Sequence, residues 1–512
     1  MLRSTLSLCL LLSVVSVTAA DPLPPLPIRS VHLTLSAAPG ATSASLTTAP
    51  DGTVWLTWLE PAADGTTTLR GATLDAAAAT WNTPRTIAHG RDWLVNGADT
   101  PSLAIEPHGR LTAVWPVSPA APATTAPGHH HHDADSSAVI SQSVDRGVTW
   151  SPPVPLSRES AANEFVALQP LADGRVLAAW LDGRGKHGDH DAQQLYARLV
   201  GGTGPDQCVD ASVCDCCQTT LTRFPDGSAL LAYRGRAEGE IRDIHIARFQ
   251  DGRWSPGRVL YPDGWKIAGC PVNGPQLASA GGRAAVAWFT AANGEAHVLV
   301  SASPDAGARF LMPLRVDLGH PLGRVDTVML ADGSVFVTWL EGAGDQPGLW
   351  LRRITPTFEL GQAVQVAALT HPGSSGFPRL TLVKDYDATP AQLAVVWSEA
   401  GTSSGLQTRL ITLPDLSTLA GRKSCVPCDE DDASAVRGYP VKGRIVQVLA
   451  ERATLLIQHD EIPGVMRAMT MEFHADPDVL AAAQPGRELL ARIERRGQPW
   501  WIFGVKWLAS NP

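Results

Sequence analysis

Past its first twenty residues this 512-residue chain has no apolar run approaching the roughly 20 residues of a membrane helix, so insertion into a bilayer is not expected. It has no basic excess either. The formal net charge of -9 argues against a surface for polyanions and removes nucleic acid from the expected partners. The one early apolar stretch runs from Leu6 to Val17 behind Arg3 and leads to Thr18-Ala19-Ala20 before Asp21. That is the layout of a cleavable secretory signal over residues 1–20, and it predicts a periplasmic or secreted protein.

Also missing is an even set of cysteines. Cys9 falls within the leader, and seven remain: Cys208, Cys214, Cys216, Cys217, Cys270, Cys425 and Cys428. An odd number cannot all pair within one chain, so at least one thiol is free, metal-bound or intermolecular.

What the chain does have is a repeat. A turn, often Asp-Gly, precedes an alternating apolar strand that ends in an aromatic, with the aromatics at Trp58, Trp115, Trp180, Tyr233, Trp288, Trp339 and Trp397. Successive aromatics lie 51 to 65 residues apart, the period of one four-stranded propeller blade. The reading is all-β: a seven-bladed propeller over 21–414, with six blades and one irregular repeat as the alternative. The last repeat lacks an outer strand, which Val31-His32-Leu33-Thr34-Leu35 can supply by joining the two ends of the ring in one blade. Closure matters because an open ring exposes strand edges.

In the second repeat Ser143-Val144-Asp145-Arg146-Gly147-Val148-Thr149-Trp150 resembles the Asp-box of BNR-repeat, sialidase-like propellers, and Ser303-Pro304-Asp305-Ala306-Gly307 resembles a degraded copy. The residues imply a structural role: an Asp carboxylate accepts backbone N–H bonds across a tight turn while an aromatic packs between strands. Sialidase chemistry would need an Arg cluster, a Tyr nucleophile with a Glu partner and an acid/base Asp. The chain has five tyrosines, and none of Tyr196, Tyr233, Tyr261 and Tyr386 falls beside a Glu in an inner-strand position. Arg234, Arg236, Arg242, Asp243 and Asp263 cluster in the fourth repeat, where interblade ion pairs and turns account for them.

From about Asp415 to Gly438 the periodicity stops. This linker carries Cys425-Val426-Pro427-Cys428, to be read as a relay or a local disulfide. Residues 439–512 then show short alternating strands that suit a small five-stranded, OB-like barrel. Within them His459 is followed by Met466, Met469 and Met471. Met469 and Met471 project to one face of a strand, and an imidazole with thioethers is a soft, neutral donor set that prefers Cu(I) to zinc or hard cations. The stretch resembles the periplasmic copper-binding domains of the CusF type. The resemblance implies His459, Met469 and Met471 as ligands, with Met466 as a further thioether. It departs from the family where a Trp precedes the Met pair, since Met466 and Arg467 stand there.

The densest sulfur in the chain is Cys214-Asp215-Cys216-Cys217, just ahead of the fourth repeat's first strand. The equivalent points of the next three repeats hold Cys270-Pro271, His320-Pro321 and His371-Pro372. Residues entering innermost strands line one mouth of a propeller, so these positions are expected to face a common opening as a copper or zinc site. Structural bridges, Cys208 with Cys214 or Cys216 with Cys270, compete with that reading. Two His-rich loops, His129 to His132 and His187 to His190, could collect divalent ions weakly.

The function expected from these residues is copper capture, sequestration or transfer, with a copper-efflux or delivery protein as partner. Two alternatives stand beside it. One is a sialidase-like glycoside hydrolase or a metal-dependent redox enzyme with a metal-binding appendage. The other is a propeller that docks to an efflux partner.

Overall fold

The computed structural model describes residues 26–118, 136–159, 162–185, 192–342, 346–385, 390–399, 405–416, 439–449, 452–460, 469–495 and 500–507. The expected leader, the linker cysteines Cys425 and Cys428, Met466 and both His-rich loops lie outside them. The chain divides into two compact units after Arg422.

The first unit is a seven-bladed propeller of antiparallel sheets. Its innermost strands are Thr42–Thr48, Ser102–Ile105, Asn163–Pro170, Thr220–Arg223, Gln276–Ala280, Pro321–Met329 and Arg379–Lys384. Seven sheets settle the blade count. The ring closes through the N-terminal segment, with Arg29–His32 rather than the expected Val31 to Leu35 as the outermost strand of the last blade and Val31 opposite Leu410 in antiparallel register.

The second strand of each blade carries the repeated apolar run because neighbouring sheets cover both its faces. Val176–Asp182 and Val335–Glu341 are buried at every residue. The terminal tryptophans Trp58, Trp115, Trp180, Trp288, Trp339 and Trp397 are among the largest fully buried side chains, and Tyr233 takes the same place in the fourth blade. A buried indole N–H needs an acceptor, and a carboxylate two residues on supplies it three times. Trp58 donates to Glu60 at 2.9 Å, Trp180 to Asp182 at 2.8 Å and Trp339 to Glu341 at 3.0 Å. Glu341 also accepts the backbone N–H of His320, which fixes the crossover into the sixth blade.

The turn at Asp145 has the expected bonding. Its carboxylate accepts the Val148 and Thr149 N–H groups, and Ser143 Oγ accepts that of Gly147. The Thr149 hydroxyl, with the Thr149 N–H and the Ser143 hydroxyl, holds the half-buried Asp145 carboxyl down at about 2. Asp305 repeats the arrangement with Arg309 N–H at 2.8 Å.

The second unit contains a closed barrel of Tyr439–Leu449, Thr454–His459, Met469–Ala475, Glu488–Arg495 and Trp500–Trp507, with a short helix at Pro477–Ala482. Its core is Val441, Ile445, Leu455, Ile457, Phe473, Leu489, Ile493 and Ile502.

Truncating one of the terminal tryptophans tests the ring. Trp339→Ala should destabilise the propeller by roughly 3–5 kcal/mol, the usual cost of emptying a large aromatic site in a packed core. Equilibrium denaturation followed by tryptophan fluorescence measures it, and a change below about 1 kcal/mol would mean that this indole is not a core element.

Candidate metal centres

At the mouth of the barrel, the second and third strands pair with His459 directly opposite Met469 and Ile457 opposite Met471. Side chains alternate across a strand, so Leu455, Ile457 and His459 share the inward face of one strand, and Met469, Met471 and Phe473 that of the next. Exposure falls along the third strand from Met469 at 51 % to a fully buried Phe473, which marks the open end of the barrel. His459 itself is only 3 % exposed and packs edge-on against Phe473. Its Nδ1 lies 2.7 Å from the Asp460 carbonyl, so that nitrogen is the donor and Nε2 keeps its lone pair. Nε2 is buried with no hydrogen-bond partner among the described residues.

The propeller holds a second concentration of soft donors. The segment Cys214–Gln218 links the outermost strand of the third blade, Gln207–Val213, to the innermost strand of the fourth. Cys214, Cys216 and Cys217 are buried, with Sγ of Cys214 3.3 Å from that of Cys217 and 3.9 Å from that of Cys216. The three sulfurs form one group within 4.8 Å of one another, and Asp215, Cys216 and Cys270 form another. Cys208, Cys214, Cys216 and Cys217 are free thiols, so neither expected bridge, Cys208 to Cys214 or Cys216 to Cys270, is present.

The segment is held from several sides. Cys214 N–H donates to Arg234 O at 2.9 Å, Gln218 Nε2 to Ala98 O at 3.0 Å, and Gly274 N–H to Gln218 Oε1 at 2.9 Å. A Cβ at Gly274 would sit 2.2 Å from the Gln218 carbonyl oxygen, so only glycine allows the fifth blade's crossover to press against this one. Arg242 Nη1 donates to Cys214 Sγ at 3.1 Å and lies 3.5 Å from Asp215. Bonds from the Cys216 and Cys217 thiols, with the Arg242 charge behind them, hold Cys214 well below the usual thiol range. Burial pushes Cys217 up, and the bonds that Cys216 makes to its three sulfur neighbours push it up.

Of the four positions read as facing one opening, the structure brings the cysteines together and leaves the histidines apart. His320 and His371 are exposed and belong to neither sulfur group. Pro271, Leu322 and Gly373, close to Cys270, His320 and His371 in the chain, nevertheless line one mouth together. The mouth they surround is a cavity of about 540 Å³ lined by Ala98, Asn273, Arg324 and Phe377 among others.

The channel behind it, about 500 Å³, is lined by all seven innermost strands and holds the buried Asp326 and the half-buried Arg379. The arginines of the fourth blade are engaged internally: Arg234 donates to the carbonyls of Asn273, Phe289 and Arg242, and Arg236 and Arg242 both pair with Glu240. Sequence reasoning missed Arg242 as the sulfur partner; its signal was an arginine 28 residues beyond Cys214 on the adjacent hairpin.

Residues 438–502 match the family model described as "Copper binding periplasmic protein CusF", so the barrel is similar to the CusF-type copper-binding domains. None of the curated proteins matches the chain.

Among solved structures, the propeller resembles a polysaccharide lyase of family PL25, an ulvan lyase (13 % identity, 76 % of this chain and 99 % of that one, TM-score 0.47). It also resembles a mutant NanB sialidase from Streptococcus pneumoniae (9 % identity, 77 % and 71 %, TM-score 0.42). An α-L-arabinanase from Penicillium chrysogenum is similar in the same way (14 % identity, 75 % and 98 %, TM-score 0.44). These likenesses are of fold alone.

Burial makes a checkable ordering of thiol reactivity. In the reduced native protein, Cys208 and Cys270, both exposed, should alkylate at least about tenfold faster than Cys214, Cys216 and Cys217, which wait on local opening. Peptide mass spectrometry after timed iodoacetamide pulses reads the order, and equal rates at all five would contradict the buried cluster.

Proposed function

We propose that this is an exported protein that captures and holds copper, binding Cu(I) at the mouth of its barrel through His459, Met469 and Met471 and releasing it to a copper-efflux or delivery partner. The observation that carries the reading is the buried Nε2 of His459, which has no hydrogen-bond partner among the described residues and sits across the strand pair from Met469. A buried polar atom without a partner costs about 1–3 kcal/mol, and a metal ion is one means of recovering it. The Nδ1 contact to the Asp460 carbonyl supports the same reading, since it orients the ring and fixes the tautomer as outer contacts do for metal-ligating histidines.

The donors choose the ion. Two thioethers and a neutral imidazole bring no charge, which disfavours Zn(II) and hard cations and favours a soft monovalent ion. Met466, outside the described residues, is proposed as a further thioether. The exposed Met469 supports exchange, because an incoming soft ligand can displace a solvent-facing thioether before the buried imidazole lets go.

His459→Ala, and separately Met469→Ala with Met471→Ala, should each weaken one equivalent of Cu(I) by at least about 100-fold, a loss of about 2.7 kcal/mol. Competition of the full-length protein against a chromogenic Cu(I) chelator measures this. Unchanged stoichiometry and affinity in both variants would remove the barrel ligands from the reading.

A further inference from the structure

We propose that Cys214, Cys216 and Cys217 form a second, three-coordinate site for a soft monovalent ion, Cu(I), with Cys270 and Asp215 as its solvent-side port. The proposal stands on the propeller residues alone and survives or fails independently of the barrel ligands.

Three arguments carry it. Four consecutive residues deliver three buried sulfurs to one point, where every ligand atom lies within 4.8 Å of the others. The segment is bonded through Arg234, Ala98 and Gly274, so binding needs little reorganisation of backbone. The Arg242 guanidinium against Cys214 offsets the negative charge that a thiolate set brings indoors.

The number of sulfurs selects the ion. A structural zinc site is closed by four ligands, and with Zn–S near 2.3 Å a tetrahedron requires all six sulfur separations to be about 3.8 Å. Here the fourth sulfur, Cys270, joins Cys216 and Asp215 but not the group that contains Cys214 and Cys217. Among the described residues, no imidazole or carboxylate joins the inner three sulfurs. Three sulfurs without a fourth donor suit Cu(I), which thiolates select and which does not demand a tetrahedron.

Cys216 belongs to both groups, so the two form a ladder from the exposed Cys270 to the buried Cys214 and Cys217. An arriving Cu(I) exchanges one donor ligand for Cys270 or Cys216, then moves inward without losing contact with sulfur. Copper remains Cu(I) throughout. Each thiol that ligates expels its proton to solvent, and each ligand of the donor leaves as a sulfur replaces it.

The test uses the full chain with every other expected soft site removed: His459→Ala, Met466→Ala, Met469→Ala, Met471→Ala, Cys425→Ser and Cys428→Ser. Reduced and kept anaerobic, this protein is titrated with Cu(I) against a chelator, and the loaded form is read by X-ray absorption. One tightly held Cu(I) with three sulfur neighbours and no nitrogen is expected. Adding Cys217→Ser should weaken it by at least about 100-fold. Adding Cys270→Ser should leave affinity unchanged and slow uptake on the order of tenfold.

Because a serine at the buried position can unfold the blade, a second measurement uses the unmutated cysteines: Cu(I) should protect Cys214, Cys216 and Cys217 from alkylation. Any one of three results would overturn the site: no copper retained, a four-coordinate Zn(II) bound in preference, or a disulfide among the three cysteines in protein isolated from its own compartment.

Discussion

The constraint from which the propeller's architecture follows is that each blade's second strand is covered on both faces. A strand such as Val335–Glu341, buried at every residue, can hold its place only if the neighbouring sheets close over it. The ring must then be complete, which is why Arg29–His32 returns to the last blade. A complete ring crowds the crossovers around one mouth, and crowding makes contacts between distant residues. Cys216 and Cys270 are 54 positions apart in the chain, yet they meet because their crossovers feed adjacent innermost strands. The Trp–carboxylate pairs serve the same end: Glu341 satisfies a buried indole and also the backbone of the crossover at His320.

In the barrel, closure acts on a single imidazole. The strand that carries Leu455 and Ile457 into the core must, by its alternation, turn His459 inward as well. An inward histidine at the deep end would face only hydrocarbon. At the mouth it has the Asp460 carbonyl on one nitrogen and a pair of methionines across the strand. The register that buries the core and the register that assembles the donors are thus one register.

Much of this was legible in the sequence because period is an averaged signal. Seven copies of an aromatic-ended strand place blades even where single residues differ, and the Met-x-Met spacing places two thioethers on one face whatever the barrel's exact closure. The cysteine cluster was legible as density. Its partners were not, for two physical reasons. Equivalent positions in a repeat share a radius and a height but not an azimuth, so Cys270 meets Cys216 while His320 and His371, at the same point of later repeats, stay outside the sulfur groups. Arg242 approaches from a hairpin of the fourth blade, and no repeat relation connects it with Cys214.

The two proposed centres would hold a cation differently. Thioethers carry no proton at any ordinary pH, so the proposed barrel donors include two that bind without releasing one. A thiolate set must shed a proton for each thiol that ligates, so its affinity depends more steeply on pH and at neutrality benefits from the charge it acquires. With copper available to both proposed sites, an anionic sulfur set would hold it longer and a neutral set would exchange it faster. A chain with both proposed sites would combine fast acquisition at one with retention at the other. The burial of Cys214 and Cys217 beside the exposure of Met469 agrees with that division.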